Sequence, residues 1–374
     1  MTGTAVETEL ESLQAEVTRL RRLHQDTEQR LEWSLKRLAE NTRSLWTPST
    51  VPRRPARGMQ PLEFVRDYVA ASQPVVLTGL TSRDWPCLER WSDEYLLEAV
   101  GDTEVSVNVT PAGLGDYVDA ATGLFVKPLE ERMRFRDFWA WLLKSADSEE
   151  ADAGDGVCYL SRQNDSLREE LPGLLCDVPA ATSLGTAAFG NEPEAINLWI
   201  GDGRAASTCH KDHYENLYMV VRGEKIFTLL PPAAVPFLHE QRCPPGHFER
   251  REGGGFDAVP DPPEEAGDME VPWVPLDVSK PDHKKFPKFA NAAAVEVRVR
   301  RGEMLYLPAM WYHHVAQRGV TVAVNYWHDM PFGHAYIHHQ FLRDVLSLND
   351  DEAEDDEEAC GASDKCLGSG GEEK

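Results

Sequence analysis

No run of apolar residues is long enough to span a bilayer, and the start of the chain is rich in Glu and Arg rather than apolar. That argues against a membrane protein and a secreted one, and for a cytoplasmic or nuclear one. Cysteine is sparse and unpaired. The seven, Cys87, Cys158, Cys176, Cys209, Cys243, Cys360 and Cys366, include no Cys-x-x-Cys, which argues against a structural zinc module and for a reducing compartment. Basic residues are outnumbered: 38 Lys and Arg stand against 63 Asp and Glu, for a net charge of −25. That balance disfavours direct nucleic-acid binding and suits a basic protein partner. There is no Ser-His-Asp order, no Cys-His signature and no internal repeat.

What is present is a metal-ligand pattern. Thr208-Cys-His210-Lys-Asp212-His-Tyr-Glu-Asn216 carries a His and an Asp two apart, and Leu307-Pro-Ala-Met-Trp-Tyr-His313-His314 carries a distant His. Two imidazoles and one carboxylate on one face of a metal are the protein half of a non-haem Fe(II) oxygenase site. In an extended strand residues i and i+2 share a face, so His210 and Asp212 point together and Lys211 points away. The flanks are strand-like: Ala195-Ile-Asn-Leu-Trp-Ile200, Leu217-Tyr-Met-Val-Val221, Met304-Leu-Tyr-Leu307 and Val320-Thr-Val-Ala-Val-Asn-Tyr-Trp327. Spacing alone does not choose between His313 and His314. His213 lies three residues from His210, on the opposite face of a strand, and reads as a neighbour. On the residues alone Lys225 reads as a solvated lysine after the Arg222-Gly223 turn.

Several motifs in order resemble the Jumonji-C (JmjC) oxygenases, which use Fe(II), 2-oxoglutarate and O2: His210-Lys-Asp-His-Tyr-Glu-Asn-Leu-Tyr218, Arg222-Gly-Glu-Lys225, Pro272-Trp-Val-Pro-Leu-Asp277 and Gly302-Glu-Met-Leu-Tyr-Leu-Pro-Ala309. The resemblance covers about residues 61–346. It implies a mainly β fold with helices, a JmjC/cupin double-stranded β-helix (jelly roll) behind an α/β lead-in. It implies His210, Asp212 and His313 as metal ligands and Lys225 as the cation that holds the 2-oxoglutarate carboxylate. It implies Tyr159, Asn216 and Asn325 as lining of the co-substrate pocket, and Ser207 where many relatives carry Thr. The implied reaction is hydroxylation of a side chain, lysine foremost, on a protein such as a developmentally regulated GTP-binding protein, with release of succinate and CO2. Two other readings stay open: demethylation of N-methyl-lysine, and a non-enzymatic cupin or one with another metal. The resemblance also implies a homodimer. Asp329, Glu215 and Glu224 are the acids near the motifs that could meet a substrate lysine.

The rest divides by composition. Leu10, Leu13, Val17, Leu20, Leu31 and Leu38 fall in a heptad pattern with polar interruptions, which predicts a helix over 1–46, a weak coiled coil or a helix packed on its own domain. Residues 47–60 read as a Pro/Arg linker. The domain 61–346 divides into a lead-in at 61–158, a core at 159–330 and a helix at 331–346, the last a candidate dimer contact. Ser92 reads as the N-cap of a helix reaching Val100. The segment 145–156 reads as an acidic loop, and an insert of about 231–289 reads as part of the substrate rim. From 347 on the chain reads as a disordered acidic tail. Eleven acids and two lysines put about −9 in residues 349–374, leaving about −16 elsewhere.

Overall fold

The β-branched and aromatic runs form one eight-stranded sheet at the centre of the protein. The computed structural model describes residues 3–146, 155–267 and 269–348, the side chains of 3–11 and 265 aside. The centre of the acidic loop and the acidic tail from 349 on lie outside the described residues.

Two long antiparallel strands, Tyr214–Leu230 and Tyr312–Asp329, run beside each other along almost their whole length. The first half of Tyr214–Leu230 also pairs with Glu303–Leu307, and its second half pairs with Val295–Arg300. Ala195–Gly201 and Ser207–His210 pair with Tyr312–Asp329. The register shifts around Arg222, where Gly223 takes φ +77°. A Cβ at Gly223 would lie 2.7 Å from Thr321 Oγ1, so this turn admits glycine alone. The two long strands change direction here, and the sheet closes into the double-stranded β-helix of the cupin fold.

Alternation explains why these strands read as unbroken apolar runs. Leu217, Met219 and Val221 face one hydrophobic cluster, while Tyr218 and Val220 face another. Val322, Val324 and Tyr326 oppose Ala323 in the same way. A sheet covered on both faces has no polar side to show. The second cluster lines the barrel interior, and the site grows from that face.

A smaller sheet of Leu129–Arg134, Glu104–Thr110 and Val157–Tyr159 forms the lead-in, and a bridge from Leu160 to Ile200 ties it to the main sheet. Ser92 accepts from the Tyr95 amide at the head of helix Asp93–Val100, the N-cap that its sequence indicates. Arg53–Pro55, within the Pro/Arg segment, is a strand parallel to Val75–Thr78.

The N-terminal helix is Gly3–Asn41, continued by a π-helical turn, Thr42–Trp46. Among its described side chains, the anchored ones lie toward its C-terminal end. Ala39 and Thr42 are buried, and the Trp46 indole donates to the Ser72 carbonyl and meets Trp311 edge to face. Leu13, Val17, Leu20 and Leu23 stay exposed. The described residues from 332 on form a second unit, centred on helix His334–Val345. No helix among the described residues is long and apolar enough to cross a membrane.

Candidate active site

Register brings the ligands together. His210 ends strand Ser207–His210 directly opposite His313 on its neighbour. Asp212 lies just past that strand rather than within it, and the Met310 amide donates to its carbonyl. The side chains converge all the same. His210 Nε2 is 3.8 Å from Asp212 Oδ1, His313 Nε2 is 3.5 Å from Asp212 Oδ2, and the three ligand atoms lie within 4.8 Å of one another.

Each imidazole is locked from behind. His210 Nδ1 lies 2.7 Å from the Thr208 carbonyl and His313 Nδ1 2.9 Å from the Trp311 carbonyl. A carbonyl only accepts, so Nδ1 carries the proton in both rings and Nε2 presents a lone pair inward. This is the outer-sphere arrangement of a metal-binding histidine. Burial, reinforced by the neighbouring His210, pulls His313 down to about 4, so its ring is neutral at physiological pH as ligation requires. His314 is outside the cluster of ligand atoms, and exposed His213 lies beside Lys211. The donor set therefore fits a divalent transition metal in facial geometry.

Four of the residues expected to meet the co-substrate, Tyr159, Ser207, Asn216 and Asn325, line a recess behind the triad, together with Trp199 and Trp327. Asn325 donates to Asn216 Oδ1 at 3.2 Å and accepts from the Trp199 indole at 2.8 Å, so it orients Asn216. Lys225 is not a solvated turn residue. It is 1 % exposed, its ammonium donates to the Tyr159 hydroxyl at 2.9 Å, and it also donates to Gln317 Oε1. Burial pulls Lys225 down to about 7. No carboxylate among the described residues pairs with it, and a buried cation without such a partner favours an anion. Ser207 and Tyr218 are hydrogen-bonding neighbours of Tyr159.

Gln317 escaped the sequence reading, although a signal existed. It follows His313 by four residues on one strand, hence on the same face, and it pairs directly with Lys225. Its amide donates to the Asp202 carbonyl at 2.7 Å, which turns Oε1 toward the lysine.

A larger pocket of about 260 Å³ opens outside the triad and shares Tyr159, Trp199, Ser207, His210 and Asp212 with the inner recess. Trp273, from the long insert, forms part of its wall. Its ring stacks on His210 at 6° and 5.9 Å, and its indole donates to Thr208 Oγ1 at 3.0 Å. Asp116 and Lys211 line the same pocket, and burial pushes the Asp116 carboxyl up against the opposing pull of His210 and Lys127. The three acids that the sequence offers for a substrate lysine point elsewhere. Glu215 is buried and accepts from the Tyr306 hydroxyl and the Ala309 amide, Glu224 pairs with Arg298 and Arg300, and Asp329 interacts with Glu194.

Two imidazoles and a carboxylate converging inside a cupin barrel, with an anion receptor behind them, define a facial-triad metalloprotein. The cupin-like domain family matches residues 61–334. The human bifunctional peptidase and (3S)-lysyl hydroxylase JMJD7 is 40% identical over 283 residues, which cover 75% of this chain and 85% of that protein. The lysine-specific demethylase JMJ32 of Arabidopsis thaliana is 38% identical, covering 76% of this chain and 84% of its own length. JmjC domain-containing protein E of Dictyostelium discoideum is 34% identical, with 76% and 86% covered. The chain belongs to the cupin-like JmjC family of 2-oxoglutarate-dependent oxygenases.

Proposed function

We propose that this protein is an Fe(II)- and 2-oxoglutarate-dependent hydroxylase of lysine side chains on a protein substrate, with GTP-binding proteins of the developmentally regulated class as first candidates. One observation carries the reading: the triad, with both Nδ1 protons tied back to carbonyls, shares a recess with Tyr159, whose hydroxyl accepts from the buried Lys225. Similarity to the human lysyl hydroxylase supports the choice of lysine.

The residues divide the work. His210, Asp212 and His313 hold the metal. Lys225 and Tyr159 take the distal carboxylate of 2-oxoglutarate, and Gln317 fixes the lysine for it. Asn216, oriented by Asn325, would line the recess that receives the co-substrate. Bound iron and 2-oxoglutarate supply the oxidising power for C–H hydroxylation, spending O2 and releasing succinate and CO2. The protein's part is to hold one carbon of the substrate beside the metal and keep bulk water out.

The test combines the protein with Fe(II), 2-oxoglutarate and a recombinant GTP-binding protein of that class, followed by intact-protein mass spectrometry. The expected result is a gain of one oxygen on a lysine, matched mole for mole by succinate. Formaldehyde from a methylated lysine would instead place the protein with the Arabidopsis demethylase, and backbone cleavage with the peptidase activity in the human relative's name.

A homodimer through the C-terminal helix belongs to the same reading. Ile337, Phe341 and Val345 recur every four residues on helix His334–Val345 and are exposed, an apolar stripe suited to a second copy. Phe341→Glu is expected to halve the mass seen by light scattering. An unchanged mass would remove this helix from the interface.

A further inference from the structure

A lysine offered to this pocket brings an ammonium that must be met by a charge, since an unpaired buried cation is costly. The residues lining the outer pocket include two carboxylates, Asp212 and Asp116. Asp212 belongs to the metal. The Asp116 carboxylate makes no hydrogen bond and no ion pair with any described residue. Lys127, whose charge acts on it, is engaged by Asp261 at 2.7 Å, and Lys211 is turned to His213 at 3.4 Å.

The loop that carries Asp116 is fixed to the metal-ligand strand. Gly115 donates to the Ala206 carbonyl and Ala206 to the Gly113 carbonyl, both at 2.8 Å, and Leu114 bridges Ala206 in parallel. Gly113 takes φ +78°, and a Cβ there would lie 2.2 Å from the Arg204 carbonyl oxygen, so close seating of the loop requires glycine. The Asp116 carbonyl accepts from Thr208 Oγ1, which itself accepts from the Trp273 indole. Backbone and side-chain bonds thus tie Asp116 to Thr208, two residues before His210. The residue is held at a set position relative to the triad and lines the pocket.

We propose that Asp116 is the substrate-binding residue that selects a cationic side chain: its carboxylate receives the lysine ammonium while an aliphatic carbon of that lysine lies beside the triad. This rests on the lysyl-hydroxylase reading and adds to it the group that makes the site prefer lysine. Trp273 forms the apolar wall along the methylene chain, and Asp116 fixes how deeply the chain enters. The acidic surface of the molecule would bring basic partners to the pocket, and Asp116 would discriminate within it.

The experiment uses the full-length protein loaded with Fe(II) and 2-oxoglutarate under nitrogen. Two synthetic peptide pools are compared, random in sequence around one central residue, which is lysine in the first and uncharged norleucine in the second. Binding is measured by titration calorimetry on wild type and on Asp116→Asn, which keeps the shape and removes the charge. The wild type is expected to bind the lysine pool about tenfold to a hundredfold more tightly than the norleucine pool, and Asp116→Asn to lose that preference. Its affinities for metal and 2-oxoglutarate are expected to match the wild type, which distinguishes loss of substrate recognition from loss of fold. Equal binding of the two pools by the wild type, or a lysine preference retained in Asp116→Asn, would overturn the assignment. Oxygen is then admitted. Lysine preference that depends on Asp116 but brings no oxygen gain would sink the hydroxylase reading and leave the lysine-binding role of Asp116 standing. Oxygen gain with an unaltered preference in Asp116→Asn would do the reverse.

Discussion

Lys225→Met is expected to weaken 2-oxoglutarate binding by roughly a hundredfold or more while leaving metal binding intact. The side chain is 1 % exposed, and its ammonium donates to the Tyr159 hydroxyl, which lines the recess. A dicarboxylate bound without it would leave one carboxylate buried and unpaired, a loss of about 3–5 kcal/mol. Methionine keeps much of the volume and removes the cost of burying a charge, so the melting temperature of the metal-free protein is expected to hold or rise. A joint loss of fold and binding would mean that Lys225 serves the structure instead. The same residue gives the site a pH dependence. In the free protein burial pulls Lys225 to about 7, so the ammonium exists below that pH and is lost above it. A carboxylate favours the charged form, so binding above about pH 7 takes up a proton, and affinity falls by up to about tenfold per pH unit. Calorimetry in two buffers of different ionisation enthalpy measures that uptake directly. In Lys225→Met this dependence is expected to vanish.

Asp212→Ala is expected to raise the Fe(II) dissociation constant by more than a hundredfold and to abolish turnover. Removing even a residue that only orients a ligand costs about 10–100-fold, and Asp212 is itself the one carboxylate among the three ligands. It is partly solvated, and its main-chain carbonyl, which alanine keeps, accepts from the Met310 amide, so the fold is expected to survive. Equilibrium dialysis with Fe(II) and a thermal melt check both halves. His314→Ala serves as a control and is expected to keep metal affinity, because His314 is not among the converging ligand atoms.

The triad was legible in the sequence because strand geometry has period two and strand-like runs flank both halves of the motif. The detail differs: strand pairing stops at His210, and Asp212 reaches the centre from the turn. Choosing His313 over His314 needed the family pattern, since alternation says only that the two diverge. Lys225 shows the limit of local reading. Beside Arg222 and Gly223 it looks like a surface lysine, and only pairing with Gln317 across the sheet buries it. The chemistry of Asp116 was invisible. No motif surrounds it, and it joins the site through a backbone bridge between Leu114 and Ala206, a contact that no periodicity announces. The acids that sequence proximity favours fail for a related reason: Glu215 and Glu224 are already taken by partners distant in the chain.

The account is tested most directly by anaerobic titration of the metal-free protein with Fe(II) and then 2-oxoglutarate, following visible absorption. It predicts a charge-transfer band that needs both components, saturates at one equivalent of each, and is absent in Asp212→Ala. A correctly folded wild-type protein that binds Fe(II) and 2-oxoglutarate without that band, or binds neither, would contradict it.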